Sequence, residues 1–299
     1  MIPLTEDLQK PKVSIQDFKE ITQRILNYIP DILNVESEFG GYVICSSNIA
    51  GAIKSIRPFK QDLFIRQEKH FDKDFKKFES VIKDLKSGKR NFAQNDSHII
   101  DSVVYTIQQA IGIGLDLMVH PNSARKLVGN RFEELIRILF DTLGISIKKV
   151  ILSIPYETEE GNKYYRCETD VIISPYDKVK SDSKTIHKNE IVVSLKTTTK
   201  DRMPKIFIDK VLMEKFVGHP VKVVGISQND IQRKDDGEIP KISYTFVSNL
   251  FMVYTKFLAQ LEGYYYLDPP AKALEKPYNQ HIFQFSKFLL QDLWKMLSP

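Results

Sequence analysis

Two short runs carry the side chains best suited to chemistry: Glu168-Thr169-Asp170 and Ser194-Leu195-Lys196. In extended backbone alternate residues share a face, so Glu168 and Asp170 lie on one side of their strand. Likewise Val192, Ser194 and Lys196 share one face while Ile191, Val193 and Leu195 share the other. An ammonium at the end of an apolar strand costs desolvation unless an anion meets it, and the acidic run supplies that anion if the two strands pair. A carboxylate that holds a divalent cation, beside a lysine that orients water, provides two of the parts that phosphodiester hydrolysis requires. Magnesium keeps several of its waters, so one firm carboxylate, a backbone carbonyl and a second acid suffice to hold it.

The elements that must position these groups follow from residue 122 onward. Asn122 or Ser123 caps a long helix whose apolar stripe is Val128, Phe132, Leu135, Ile136, Leu139 and Leu143, closed by Gly144. Glu133 lies roughly 100° from the centre of that stripe and Glu134 roughly 160°, so Glu133 borders the core, Glu134 faces water, and Glu133 is the better second acid. β-branched and aromatic runs at 150–154, 164–173 and 190–197 read as three strands. A helix over 205–217 opens behind Pro204 and ends at Gly218 and Pro220, and a fourth strand covers 221–227. The order is αβββαβ: an α/β fold with a mixed β-sheet flanked by helices.

Residues 1–120 read as a mainly helical N-terminal region serving DNA recognition or dimerisation, and 121–299 as the core with a C-terminal helical extension. Ser14 caps a helix carrying Phe18, Ile21, Ile25 and Ile29 that stops near Pro30, the stripe Phe71, Phe75, Phe78, Ile82 and Leu85 ends at Gly88, and 99–119 is a third helix. A charged loop is expected over 228–241, a strand over 242–247 and a helix over 248–261. The tail, with Tyr264, Tyr265 and Tyr266, leaves two readings open, packing back on the core or contacting a partner.

Composition narrows the classes. The 299 residues are 42% apolar and balance 43 Lys and Arg against 38 Asp and Glu, a net charge of +5 that permits nucleic-acid binding without requiring it. Cys45 and Cys167 are the two cysteines and have no CxxC spacing, the six histidines form no HxH or HxxxH pair, and no phosphate-binding glycine loop occurs, Gly112-Ile113-Gly114 being too short. The apolar window 103–119 is interrupted by Gln108, Gln109 and Asp116, so a cytoplasmic protein is expected. The lysine-rich stretches 54–57, 86–90 and 178–188 read as solvated surface, of which at least one would touch phosphate if DNA is bound.

The segments Gly129-Asn-Arg-Phe-Glu133-Glu-Leu, Glu168-Thr-Asp170-Val-Ile-Ile and Ser194-Leu-Lys196-Thr-Thr-Thr-Lys-Asp-Arg202 together resemble the PD-(D/E)XK nucleases, specifically type II restriction endonucleases of the Ser-x-Lys variety. The resemblance spans residues 122–227, about a third of the chain. It implies Mg²⁺ as cofactor, Asp170 as metal ligand, Lys196 as the residue that orients the attacking water, and Glu133 as the helix carboxylate. It also implies that Leu195 lends its backbone carbonyl to the metal and that Lys200 and Arg202 contact phosphate. Two positions depart from the pattern: Thr169 stands where proline is usual, and Ser194 where most members carry an acid. In Ser-x-Lys members an acid of the following helix substitutes, here Asp209 or Glu214, with Glu168 as a further candidate.

The expectation is thus a Mg²⁺-dependent, homodimeric endonuclease acting on double-stranded DNA at a short sequence, with a cognate DNA methyltransferase as genetic partner. Its rivals are a structure-specific repair nuclease on the same core and an inactive DNA-binding relative.

Overall fold

The computed structural model describes residues 2–29, 35–49, 52–236 and 239–298. Two helices open the chain, α1 (Leu4–Gln9) and α2 (Ile15–Tyr28). Ser14 and Asp17 form a reciprocal capping box on α2, satisfying two of its free amides; Pro30, the stop read from sequence, lies outside the described residues.

Among the helices of the N-terminal region stands a small sheet that the sequence reading did not include. Strands β1 (Val35–Phe39), β2 (Tyr42–Ile49), β3 (Ala52–Ser55) and β4 (Phe59–Lys60) make a small antiparallel sheet, turned between β1 and β2 at Gly40 and Gly41, both with positive φ. That Gly-Gly pair between alternating runs is a hairpin signal. Helices α3 (Glu68–Lys86), α4 (Gln94–Met118) and α5 (Pro121–Thr142) follow, α5 starting one residue before the expected cap with its proline in the first turn. Helix α4 is buried nearly all round at the centre of the helical block. Two of its glycines allow close approach: a Cβ at Gly112 would lie 2.5 Å from the Arg57 guanidinium, which pairs with Asp116, and one at Gly114 would press on Leu8 at 3.1 Å.

After α5 come β5 (Ser146–Lys148), β6 (Ile151–Thr158), β7 (Gly161–Glu168), β8 (Val171–Ser174) and β9 (Ile191–Lys196), then α6 (Met203–Val217) and β10 (Lys222–Ser227). The strand expected over 164–173 is two strands: β7 pairs only with β6 in a separate ribbon, and the chain breaks at Thr169–Asp170 before β8 joins the main sheet. Thr169 makes the corner, donating to the Val150 carbonyl and accepting from the Val150 amide. The charged loop expected over 228–241 is also a hairpin, β11 (Ile231–Asp236) and β12 (Ile239–Tyr244). Helix α7 (Ser248–Phe257), β13 (Gly263–Tyr266) and β14 (Ile282–Gln284) precede a helical run, 285–297.

The main sheet has the order β14-β13-β10-β9-β8-β5, parallel from β14 to β9 and antiparallel through β8 and β5. Alternation along β9 sorts as expected. Ile191, Val193 and Leu195 join the core under α2 to α5, whereas Val192 joins the opposite core with Ile206 and Phe207 of α6 and Phe251 of α7. The tail packs back: Tyr264, Tyr265 and Tyr266 are buried, their hydroxyls bonded to Ser227, Asp292 and Asp230.

Candidate active site

The corner at Thr169 turns Asp170 toward the end of β9, where register pairs Val171 with Val193. One carboxylate oxygen, Oδ2, accepts from Lys196 Nζ at 2.6 Å, from the Leu195 amide at 2.7 Å and from Ser194 Oγ at 3.3 Å. Lys196 Nζ also donates to the Leu195 carbonyl at 3.0 Å, so these two oxygens converge on one place that already takes a cation. Among the described residues no hydrogen bond falls on Asp170 Oδ1. Both side chains are largely buried yet reach solvent, Lys196 at 15% and Asp170 at 19% exposure.

They line a cleft of about 330 Å³, together with Tyr165, Arg166 and Glu168 of the ribbon and Lys205, Ile206 and Asp209 of α6. Asp209 pairs with Lys205 at 2.6 Å, one turn away. Its charge reaches across to Cys167, whose thiol is pushed up to about 11, by burial first and then by Asp209. Glu168 is half exposed on the cleft wall, 3.7 Å from Lys149.

Helix α5 brings Glu133 to the rim without making it part of the cleft lining. Its carboxyl is raised above the usual value, by burial first and then by the Asp170 charge, against the opposing pull of Lys149, Lys196 and Arg137. Glu134 does not simply face water: it pairs with the buried Arg131 and accepts the Lys12 amide at 3.0 Å, tying α5 to the N-terminal segment. Glu214 is likewise structural, accepting the Val221 amide at 3.0 Å beside Lys210, and does not line the cleft. Of the two acids considered on α6, the cleft contains Asp209.

The residues after Lys196 are organised by a group that sequence reasoning passed over. Asp230, 1% exposed, accepts from Thr198 Oγ1, from the Thr199 amide at 2.6 Å, from Thr199 Oγ1, from Thr245 Oγ1 and from the Tyr266 hydroxyl at 2.6 Å. The signal was the pair of threonines itself: two hydroxyls in a run entering the interior need an acceptor. The Thr199 carbonyl then accepts from Arg202 and Met203, starting α6. This leaves Lys200 and Arg202 exposed just past the end of β9, with Lys200 Nζ 3.3 Å from Gln232 Oε1.

Among the described residues no three His, Cys, Asp or Glu side chains are grouped to hold a metal. The oxygens suited to such a role are those of the Asp170 carboxylate and the Leu195 carbonyl, which already meet at Lys196 Nζ. They are hard donors of the type Mg²⁺ takes, and a cation with few protein ligands keeps its waters, so the donor set fits.

No protein-family model and no curated protein matches the sequence. Among solved structures, the crystal structure of the type IIP restriction endonuclease Kpn2I superposes with a TM-score of 0.71 at 17% identity, covering 95% of this chain and 91% of that one. A complex of restriction endonuclease PspGI with substrate DNA gives a TM-score of 0.40 at 12% identity over 76% of this chain and 92% of that one. Through its near-complete overlap with Kpn2I, this chain has the type II restriction endonuclease fold.

Proposed function

We propose that the protein is a Mg²⁺-dependent endonuclease of the type II restriction class, hydrolysing phosphodiester bonds in double-stranded DNA at a short specific sequence. The observation that carries the reading is Asp170, held by Lys196 and the Leu195 amide through one oxygen while the other stays available at a cleft wall. A carboxylate placed only to neutralise a strand-end lysine gains nothing from opening on a cleft lined by a second acid.

In this reading Asp170 and the Leu195 carbonyl hold the cation, with Asp209 and Glu133 as the outlying acids and Glu168 as an auxiliary. Bound Mg²⁺ would supply charge neutralisation at the scissile phosphate and lower the pKa of a water. Lys196 Nζ orients the attacking water and donates to the developing oxyanion, while the Leu195 amide and Ser194 hold the Asp170 carboxylate in place. Lys200 and Arg202 meet phosphates flanking the cut. A homodimer would bring two equivalent clefts to the two strands of a symmetric site, and a cognate DNA methyltransferase would protect the host's own copies in the cytoplasm. No helix among the described residues is long and apolar enough to cross a membrane.

The test is incubation of phage and plasmid DNA with Mg²⁺ or with EDTA. The account predicts discrete fragments with Mg²⁺ and none with EDTA. Cleavage confined to junctions or mismatches would favour a structure-specific repair nuclease, and Mg²⁺-dependent binding without any cutting an inactive relative.

A further inference from the structure

The β11–β12 hairpin has two chemically different faces. Register sets Ile231 opposite Tyr244, Gln232 opposite Ser243, Arg233 opposite Ile242 and Lys234 opposite Lys241. Alternation therefore gathers Ile231, Arg233, Ile242 and Tyr244 on one side, and Gln232, Lys234, Lys241 and Ser243 on the other. The first side is anchored: Ile231 and Ile242 cluster with Tyr42 and Ile44 of β2, and Arg233 donates to the Cys45 carbonyl at 3.2 Å. On the second side Lys234 and Lys241 are exposed, and Gln232 is joined to Lys200 at 3.3 Å.

This face is locked to the cleft. Asp230, the residue before β11, holds Thr198 and Thr199 on the segment that follows Lys196, and through Thr245 it holds the end of β12. The Gln228 amide donates to the Lys196 carbonyl at 3.1 Å, which fixes the hairpin's root to the catalytic strand as well.

We propose that the face formed by Gln232, Lys234, Lys241 and Ser243, continuous with Lys200, is where duplex DNA is held. The proposal rests on the nuclease reading above and adds the element that grips the duplex. A two-stranded ribbon has the dimensions of the major groove. Three ammonium groups around an amide and a hydroxyl form a donor set for phosphate oxygens with base edges between them. The opposite side is the one whose Ile231 and Ile242 pack on β2, and Asp230 ties the hairpin to the segment that follows Lys196.

The experiment measures binding of a random-sequence, labelled duplex of about 30 base pairs to full-length Asp170→Ala protein over a salt series, with and without Lys234→Gln/Lys241→Gln. Loss of two phosphate contacts predicts binding about tenfold weaker near physiological salt, and a plot of log affinity against log salt shallower by about 2. The Lys234→Arg/Lys241→Arg protein keeps both parental values. A native chain that cuts DNA, with Lys-to-Gln protein matching parental affinity and slope, overturns the docking face and leaves the nuclease reading standing. A native chain that neither binds nor cuts DNA overturns both.

Discussion

Asp170 and Asp230 flank the same strand end and use identical carboxylates in opposite ways. Asp230 is almost completely buried and accepts on both oxygens from three threonines and a tyrosine. Asp170 accepts three bonds on one oxygen and keeps the other at a cleft. A buried carboxylate saturated with donors is a structural clamp, because every lone pair is already committed. One that is half-satisfied beside a cavity retains capacity for a cation or a substrate. The same contrast separates two acids on α6: Glu214 is spent on the Val221 amide and Lys210, whereas Asp209 lines the cleft and pairs with the exposed Lys205.

The comparison breaks most visibly in stability. Asp230→Ala strands the Thr199 amide and the Tyr266 hydroxyl without an acceptor, a loss of about 3–5 kcal/mol. For a chain of this size that lowers the melting temperature by roughly 10 °C, read by calorimetry. Asp170→Ala shifts it by less, about 1–3 kcal/mol, since it strands the Leu195 amide but lets the freed lysine turn to cleft water. Equal losses for the two variants would erase the distinction drawn between them.

On α6 the separation is one of activity. Asp209→Ala slows cleavage by about a hundredfold if it completes the cation site, while Glu214→Ala leaves the rate within about threefold and costs stability instead. The reverse pattern in single-turnover rates would move the second acid to Glu214.

Glu133 sharpens the electrostatic side. Its carboxyl is raised by burial and by Asp170, and a cation is held by the ionised form, so Mg²⁺ affinity strengthens as pH rises through that elevated value. Glu133→Gln flattens the dependence and weakens Mg²⁺ binding by about tenfold. Titration calorimetry at several pH values measures it, and a pH dependence that survives the substitution removes Glu133 from the site.

The last effect is a pH slope at Asp101, a buried carboxylate that accepts from the Ser286 amide and hydroxyl and is pushed up to about 7 chiefly by burial. Its folded value lies above the unfolded one, so the native state binds the extra proton and stability declines as pH rises from about 4 to 7. Asp101→Asn removes the pH-dependent part of that loss. Denaturant titrations at pH 5 and pH 8, roughly the two ends of the window, show whether the slope disappears.

Asp170 and Lys196 were legible in the sequence because strand alternation and the cost of burying a lysine are local rules. The corner at Thr169 was not: residues 164–173, rich in Tyr, Val and Ile, read as one strand, and a single threonine bonding back to Val150 divides it. The β11–β12 hairpin was hidden for the opposite reason. Gln-Arg-Lys-Asp-Asp is polar throughout, and its apolar anchors, Ile231 and Ile242, find Tyr42 and Ile44 nearly two hundred positions away. The small N-terminal sheet did carry a local signal, Gly40-Gly41 between alternating runs, which the helical character of its surroundings obscured. Glu134 read as solvent-facing because helical geometry alone contains neither Arg131 nor the Lys12 amide.

The central claim is tested most directly by plasmid cleavage with Mg²⁺, run in parallel with the native chain, Asp170→Ala and Lys196→Ala. The account predicts discrete fragments from the native chain and a loss of about a thousandfold or more in rate for each variant, with folding intact by circular dichroism. DNA left whole by the native chain in every buffer, or cut as well by either variant, would contradict it.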